Sequence, residues 1–302
     1  MHPGMEPAHD KSLGWKVLGA FALVFAIAWL GGAAWGVAAT LGGRALKLSD
    51  TAISTASLLG ITLIRLVVWI PVTRLVLKRR LGELAFPFRP GWWLDLLAGV
   101  LLTSLAILVV FLAAVQAGWL VVDGVVWSSL SAGAFVGKLW VSLLINASVA
   151  VVEEIIFRAY LLTGLKVAWG RTIALVVMAV VFSLLHAPAL EGQSPLTLAA
   201  ALLLLAGFGL VFGWVYLRTG SLWLPVGIHF AWDFVENDLL NLSGDMANPH
   251  VIGLVTRLQG PFPLAGLENA LLLDVLALAL LCLGLWLWLS RRWVGLTDAE
   301  MD

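Results

Sequence analysis

Three short groups of ionisable residues stand out because each interrupts an apolar stretch. The first reads Val152-Glu153-Glu154-Ile155-Ile156-Phe157-Arg158. The second reads Phe182-Ser183-Leu184-Leu185-His186-Ala187-Pro188, and the third His229-Phe230-Ala231-Trp232-Asp233. An ionisable group in a spanning helix costs about 2.5–3.5 kcal/mol on insertion scales, so each asks for a reason. On a helix, Glu154 and Arg158 stand at i and i+4, which predicts an ion pair that keeps Glu154 ionised and offsets the burial of Arg158. Glu153 points about 100° away from that pair and is not committed to it. Asn146, seven residues earlier on nearly the same face, is expected to orient Glu153 or a bound water. His229 and Asp233 are again i and i+4, a donor/acceptor pair aimed at a common point, and His186 brings a second imidazole from another helix. Carboxylate and imidazole groups that meet in this way can activate water and steady a developing oxyanion. The same four groups, Glu153, His186, His229 and Asp233, are also candidate ligands for a divalent ion such as zinc. The His-Glu-x-x-His zinc signature is absent, so spacing leaves metal dependence open, and the metal-free reading is favoured.

The elements that carry these groups belong to a membrane protein. The chain has 302 residues, 61% hydrophobic and 12% charged, with a mean hydropathy of +1.00. Soluble domains run nearer half apolar and a quarter charged. Balanced charge, 18 basic against 18 acidic residues, argues against a nucleic-acid partner. A single cysteine, Cys282, excludes an internal disulfide and makes a thiolate metal cage or cysteine nucleophile a poor reading.

A spanning helix needs about 20 predominantly apolar residues. The fold class expected is therefore all-α, a polytopic bundle of about eight transmembrane helices around an intramembrane polar site. The segments are roughly 17–41, 52–77, 94–117, 139–165, 172–187, 196–217, 222–240 and 271–290. The first, third, sixth and eighth read as uninterrupted, and the fifth is short because Pro188 disfavours helix before it. Trp15, Trp92, Trp93, Trp119, Trp127, Trp169 and Trp293 fall at segment ends, where membrane interfaces favour them. Lysines and arginines divide as Lys11, Lys16, Arg74, Lys78, Arg79, Arg80, Arg89, Lys166, Arg171, Arg218, Arg291 and Arg292 on one side, against Arg44, Lys47, Lys138 and Arg257 on the other. That bias places both termini in the cytoplasm, in a plasma-membrane protein whose longest loop, 241–268, faces outside. Three regions follow: 1–134 with three helices, 135–240 with the chemistry, and 241–302 with the outer loop and last helix.

Depth is an independent check. At 1.5 Å per residue, Glu153 lies about 18 Å from the cytoplasmic end of its helix, His186 about 20 Å into its own, and His229 and Asp233 about 10–16 Å into theirs. The hydrocarbon core is about 30 Å thick, so all four converge on its middle.

Glu-Glu-x-x-x-Arg, then Phe-x-x-x-His, then His-x-x-x-Asn/Asp, each on its own apolar helix, resembles the CAAX-protease and bacteriocin-processing (CPBP) membrane proteases, which include the type II CAAX prenyl endopeptidases. The residues that carry the resemblance are Glu153, Glu154, Arg158, Phe182, His186, His229 and Asp233, over about 135–240. It implies an intramembrane endopeptidase acting on a membrane-associated peptide or protein, prenylated CAAX-type or bacteriocin-like, in the lipid bilayer. It further implies that Glu153 and His186 activate water and that His229 and Asp233 stabilise the oxyanion. Asp233 stands where some members have Asn, and an ionised Asp cannot donate to an oxyanion, so it is expected to act protonated or to orient His229. Two other classes share such residues: a proton-coupled transporter, for which inverted repeats are lacking, and a non-catalytic immunity or scaffold protein. Among the remaining groups, Phe182 is expected to pack beneath His186, and Glu236 and Asn237 to cap at the interface. Arg65 is expected to pair with Asp95, Glu236 or a lipid phosphate without a catalytic role. His2, His9 and His250 are expected to be solvated.

Overall fold

The computed structural model describes residues 11–242, 252–260 and 267–292. His2, His9, His250 and Trp293 lie outside the described residues. The chain opens with α1 (Lys11–Ala45) and α2 (Asp50–Leu77), then a short turn α3 (Leu81–Leu84) and α4 (Trp92–Gln116). Next come α5 (Ala132–Glu154), which continues without a break through a π-helical stretch, Ile155–Leu162, into α6 (Thr163–Trp169). There follow α7 (Arg171–Leu185), α8 (Pro195–Thr219), α9 (Trp223–Ala231) with its own π-helical continuation Trp232–Leu240, and α10 (Leu267–Arg292).

Local chemistry sets these boundaries. Serine oxygens at Ser49, Ser131 and Ser194 accept the first free backbone N–H groups of α2, α5 and α8, at 3.2–3.3 Å. Pro195 occupies the first turn of α8, where its missing N–H is no loss, and Gly220 ends that helix in the left-handed region. At Gly170, φ is +83°, and this position turns the chain between α6 and α7. The helix α7 stops at Leu185, as Pro188 predicts.

Among the described residues, six helices are long and apolar enough to cross a membrane: Ser12–Ala45, Asp50–Leu77, Trp92–Gln116, Ala132–Trp169, Pro195–Thr219 and Ala270–Ser290. The protein is an integral multi-pass membrane protein. The count differs from the expected eight: α7 is apolar but only 15 residues long, and α9 with its continuation carries Asp233, Glu236 and Asp238. The eighth segment is not uninterrupted either, since Asp274 lies in α10. Large apolar side chains such as Leu23, Leu63, Leu101 and Leu203 point outward, as helices facing lipid on one side and protein on the other require.

Inside the bundle, α1 packs on α2, α7 on α8, and α4 on α9. The last contact is a backbone approach. A Cβ on Gly99 would lie 2.6 Å from the Leu224 carbonyl oxygen, and one on Gly227 would lie 2.3 Å from that of Leu96. Small residues allow such approach where helices associate in lipid, and Gly227 stands two residues before His229. Outside the helices, β1 (Leu120–Val125) and β2 (Leu254–Leu258) form an antiparallel ribbon with a bulge between Val122 and Gly124. Arg257 pairs with Asp123 across it at 3.2 Å.

Candidate active site

The first motif lies where α5 passes into its π-helical stretch, and the third where α9 passes into its own. Each such change inserts extra backbone into the turn and re-aims the side chains around it, a feature common at functional sites. Glu154 and Arg158 are fully buried and paired at 2.9 Å, Arg158 Nη1 donating to Glu154 Oε1. The guanidinium sits among the rings of Phe182, Phe212 and Phe157, 4.9–5.9 Å from their centres.

The same Glu154 oxygen also lies 2.9 Å from His229 Nδ1. An ionised carboxylate only accepts, so Nδ1 carries the proton and donates. This link between two motif helices was not anticipated from sequence, where Glu154 was read as serving Arg158 alone. It fixes the ring and leaves His229 Nε2 toward Asp233 Oδ2 at 3.5 Å and Glu153 Oε2 at 3.9 Å. Those are ion-pair separations and too long for direct hydrogen bonds. Glu153, whose side chain is 25% exposed against 0% for Glu154, is turned away from Arg158 as the spacing predicts.

His186 follows the last residue of α7. Its Nδ1 lies 2.7 Å from the Phe182 carbonyl. The end of a helix leaves carbonyls without partners, and the imidazole satisfies one of them. A carbonyl cannot donate, so Nδ1 holds the proton and a neutral ring keeps Nε2 as an acceptor. Phe182 packs against His186 with ring centres 4.6 Å apart, as expected. His186 borders two cavities. One, of about 420 Å³, is lined by Glu153, Arg65, Trp29 and Trp69. The other, of about 270 Å³, is lined by His229, Asp233, Asn237 and Asp274.

Several expectations need correction. Asn146 does not turn to Glu153: its amide donates to Asp238 Oδ2 at 2.8 Å and to the Ser142 carbonyl at 2.9 Å. Ser142 Oγ donates to that same Asp238 oxygen at 2.5 Å, so a nearby acceptor claims the side chain. Glu236 is buried, not an interfacial cap, because Trp232–Leu240 packs inside the bundle against α4 and α5. Arg65 meets neither Asp95 nor Glu236 but lines the Glu153 cavity. Sequence reading missed Asp238, Ser142 and Asp274 as members of this polar interior.

Among the described residues, no three or more His, Cys, Asp or Glu side chains are gathered so as to hold a metal ion. Each imidazole has one nitrogen held by the protein, which orients the ring for use of the other nitrogen.

Residues 135–235 match the family model described as Type II CAAX prenyl endopeptidase Rce1-like. The motif resemblance is thereby shown over that third of the chain, a segment type found in membrane proteases. No curated protein and no solved structure matches the chain.

Proposed function

We propose that the protein is an intramembrane endopeptidase that hydrolyses a peptide bond of a membrane-associated substrate, using water activated by Glu153 and His186. The observation that carries this reading is the His186 ring, whose Nδ1 is held by the Phe182 carbonyl while the residue borders both the Glu153 cavity and the His229 cavity. A water between Glu153 and His186 Nε2 loses a proton to the carboxylate as its oxygen attacks the scissile carbonyl. The tetrahedral oxyanion takes a hydrogen bond from a doubly protonated His229 through Nε2–H, with Nδ1–H still on Glu154. Collapse breaks the C–N bond, and the leaving amine takes the proton held by Glu153. Asp233 Oδ2, 3.5 Å from His229 Nε2, supports the orienting role over the oxyanion-donor role for this residue. Glu154 and Arg158 act as positioning residues. Prenylated CAAX-type and bacteriocin-like peptides are the substrate classes that the resemblance suggests.

The test is cleavage of membrane-proximal peptides by purified protein. Glu153→Gln and His186→Ala should each abolish product while leaving a folded, monodisperse protein. Undiminished cleavage by Glu153→Gln sinks the mechanism. No cleavage by wild type across such peptides, together with proton-coupled flux in liposomes, would move the protein to the transporter class.

A further inference from the structure

Arg65 takes no part in the chemistry above, yet a guanidinium in the middle of a spanning helix is costly and demands a purpose. It stands 12 residues before the end of α2 at Leu77, about 18 Å along the axis. From the start of α2 at Asp50 it is 15 residues, or about 22 Å. With a hydrocarbon core about 30 Å thick, neither end brings lipid phosphates within reach. The side chain instead turns into the protein. Its guanidinium lies over the Trp29 ring, 5.2 Å from the ring centre, and lines the same cavity as Glu153 and His186. Those three are the ionisable groups of a cavity otherwise walled by Phe25, Trp69, Phe157, Leu185 and similar side chains. Among the described residues no acceptor lies within ion-pair or hydrogen-bond distance of Arg65. A stacked guanidinium keeps its N–H edge free, and that planar fork matches a carboxylate in bidentate geometry.

We propose that Arg65 is a specificity-determining residue that binds a carboxylate of the substrate inside the Glu153 cavity. The inference rests on the peptidase reading above and adds to it what the cavity selects. About 420 Å³ suits a short segment of peptide, in the size range of small-molecule sites. The carboxylate has two sources, the α-carboxylate at a chain end or an Asp or Glu side chain. The first confines cleavage to within a few residues of a C-terminus, and the second selects an acidic residue near the scissile bond.

Binding tests this without requiring turnover. The probes are N-acetyl-trileucine as the free acid, its C-terminal amide, and N-acetyl-Leu-Glu-Leu amide, titrated by calorimetry into the full chain in nanodiscs. One of the two acids should bind wild type about tenfold or more tightly than the neutral amide, the worth of a charged hydrogen-bonded pair. Which acid does so identifies the source. In Arg65→Gln the preference should shrink to about twofold or less, and Arg65→Lys, which keeps the charge and loses the fork, should fall between. Equal binding of acids and amide by wild type overturns the proposal, and that comparison needs no variant to fold. If Arg65 only offsets the charge of Glu153, Arg65→Gln changes acid and amide affinities alike, which also overturns it. Cleavage of longer peptides, read separately, decides the peptidase reading: its failure beside intact acid selectivity separates the two ideas.

Discussion

Replacing Glu154 and Arg158 singly and together separates what the pair does for stability from what it does for chemistry. Both side chains are fully buried, and one carboxylate oxygen takes the bonds from Arg158 and His229. Among the described residues, Glu154 Oε2, Arg158 Nε and Arg158 Nη2 have no hydrogen-bond partner, so the pair is incompletely satisfied there. Glu154→Leu strands the guanidinium among three phenyl rings, and breaking a buried pair from one side costs about 3–5 kcal/mol. That is more than about a hundredfold in the folding equilibrium, a large part of a total near 5–15 kcal/mol. Glu154→Leu/Arg158→Met removes both charges and fills similar volume, and such replacements are neutral or stabilising. The double variant should therefore be clearly more stable than Glu154→Leu, short of wild type only by the roughly 1–3 kcal/mol of the His229 Nδ1–H left buried without an acceptor. Its cleavage rate should stay down by about 10²–10³, the loss typical of an oxyanion donor out of place, because His229 Nδ1 no longer has an acceptor. Thermal melts by fluorescence-detected size exclusion and initial rates of peptide cleavage measure the two quantities. A double variant as unstable as Glu154→Leu would refute the electrostatic account, and one that cleaves at the wild-type rate would refute the positioning role.

Other outcomes follow from the same geometry. Glu153→Gln should melt within a few degrees of wild type and lose activity, since it removes a partly exposed charge that stands 3.9 Å from His229 Nε2, beyond hydrogen-bond reach; a collapse of folding would contradict that assignment. Gly227→Val should destabilise by about 1–3 kcal/mol or more through overpacking, because a side chain there meets the Leu96 carbonyl, whereas Gly82→Val, with open space around it, should not; melts of the two variants decide it. Activity should survive exhaustive chelation confirmed by elemental analysis, and restoration by zinc of a chelated, silent enzyme would overturn the metal-free mechanism. With Cys282 replaced, a cysteine at Lys78 should react with an impermeant thiol reagent supplied from the cytoplasmic side and one at Asp123 only from outside; the opposite pattern would invert the proposed topology.

The parts of this site that were legible in the sequence are those fixed by one helix alone. Four-residue spacing is enough to pair Glu154 with Arg158 and to set His229 beside Asp233, because 3.6 residues per turn leaves no other arrangement. The Glu154–His229 bond joins two helices, and it depends on how closely α5, α4 and α9 approach, which Gly99 and Gly227 govern without any signal in a periodicity. The π-helical stretches defeat the same arithmetic. Under α-helical geometry Asp238 stands about 140° from Asp233 and reads as off the site. With i→i+5 bonding that angle narrows, and Asp238 becomes the acceptor that takes Asn146 away from Glu153. Asp274 was hidden for a different reason: one carboxylate among leucines barely lowers a hydropathy average over a window of about 19 residues.

Arg65 and Asp274 share a further property. Both line the cavities beside His186, and both lie outside the segment 135–235 that carries the family match. The groups proposed for hydrolysis come from α5, α7 and α9 with their continuations, close in sequence and recognisable by motif. The walls of the two cavities come partly from these elements and α8 and partly from α1, α2 and α10, which carry no motif to read. A single ionisable residue on such a helix is therefore the informative one, since the bilayer makes it costly and only an interior partner or ligand offsets that cost. In this chain the motifs that bear on the reaction lie in the central segment. The choice of substrate has to be sought on the flanking helices, beginning with the guanidinium stacked on Trp29.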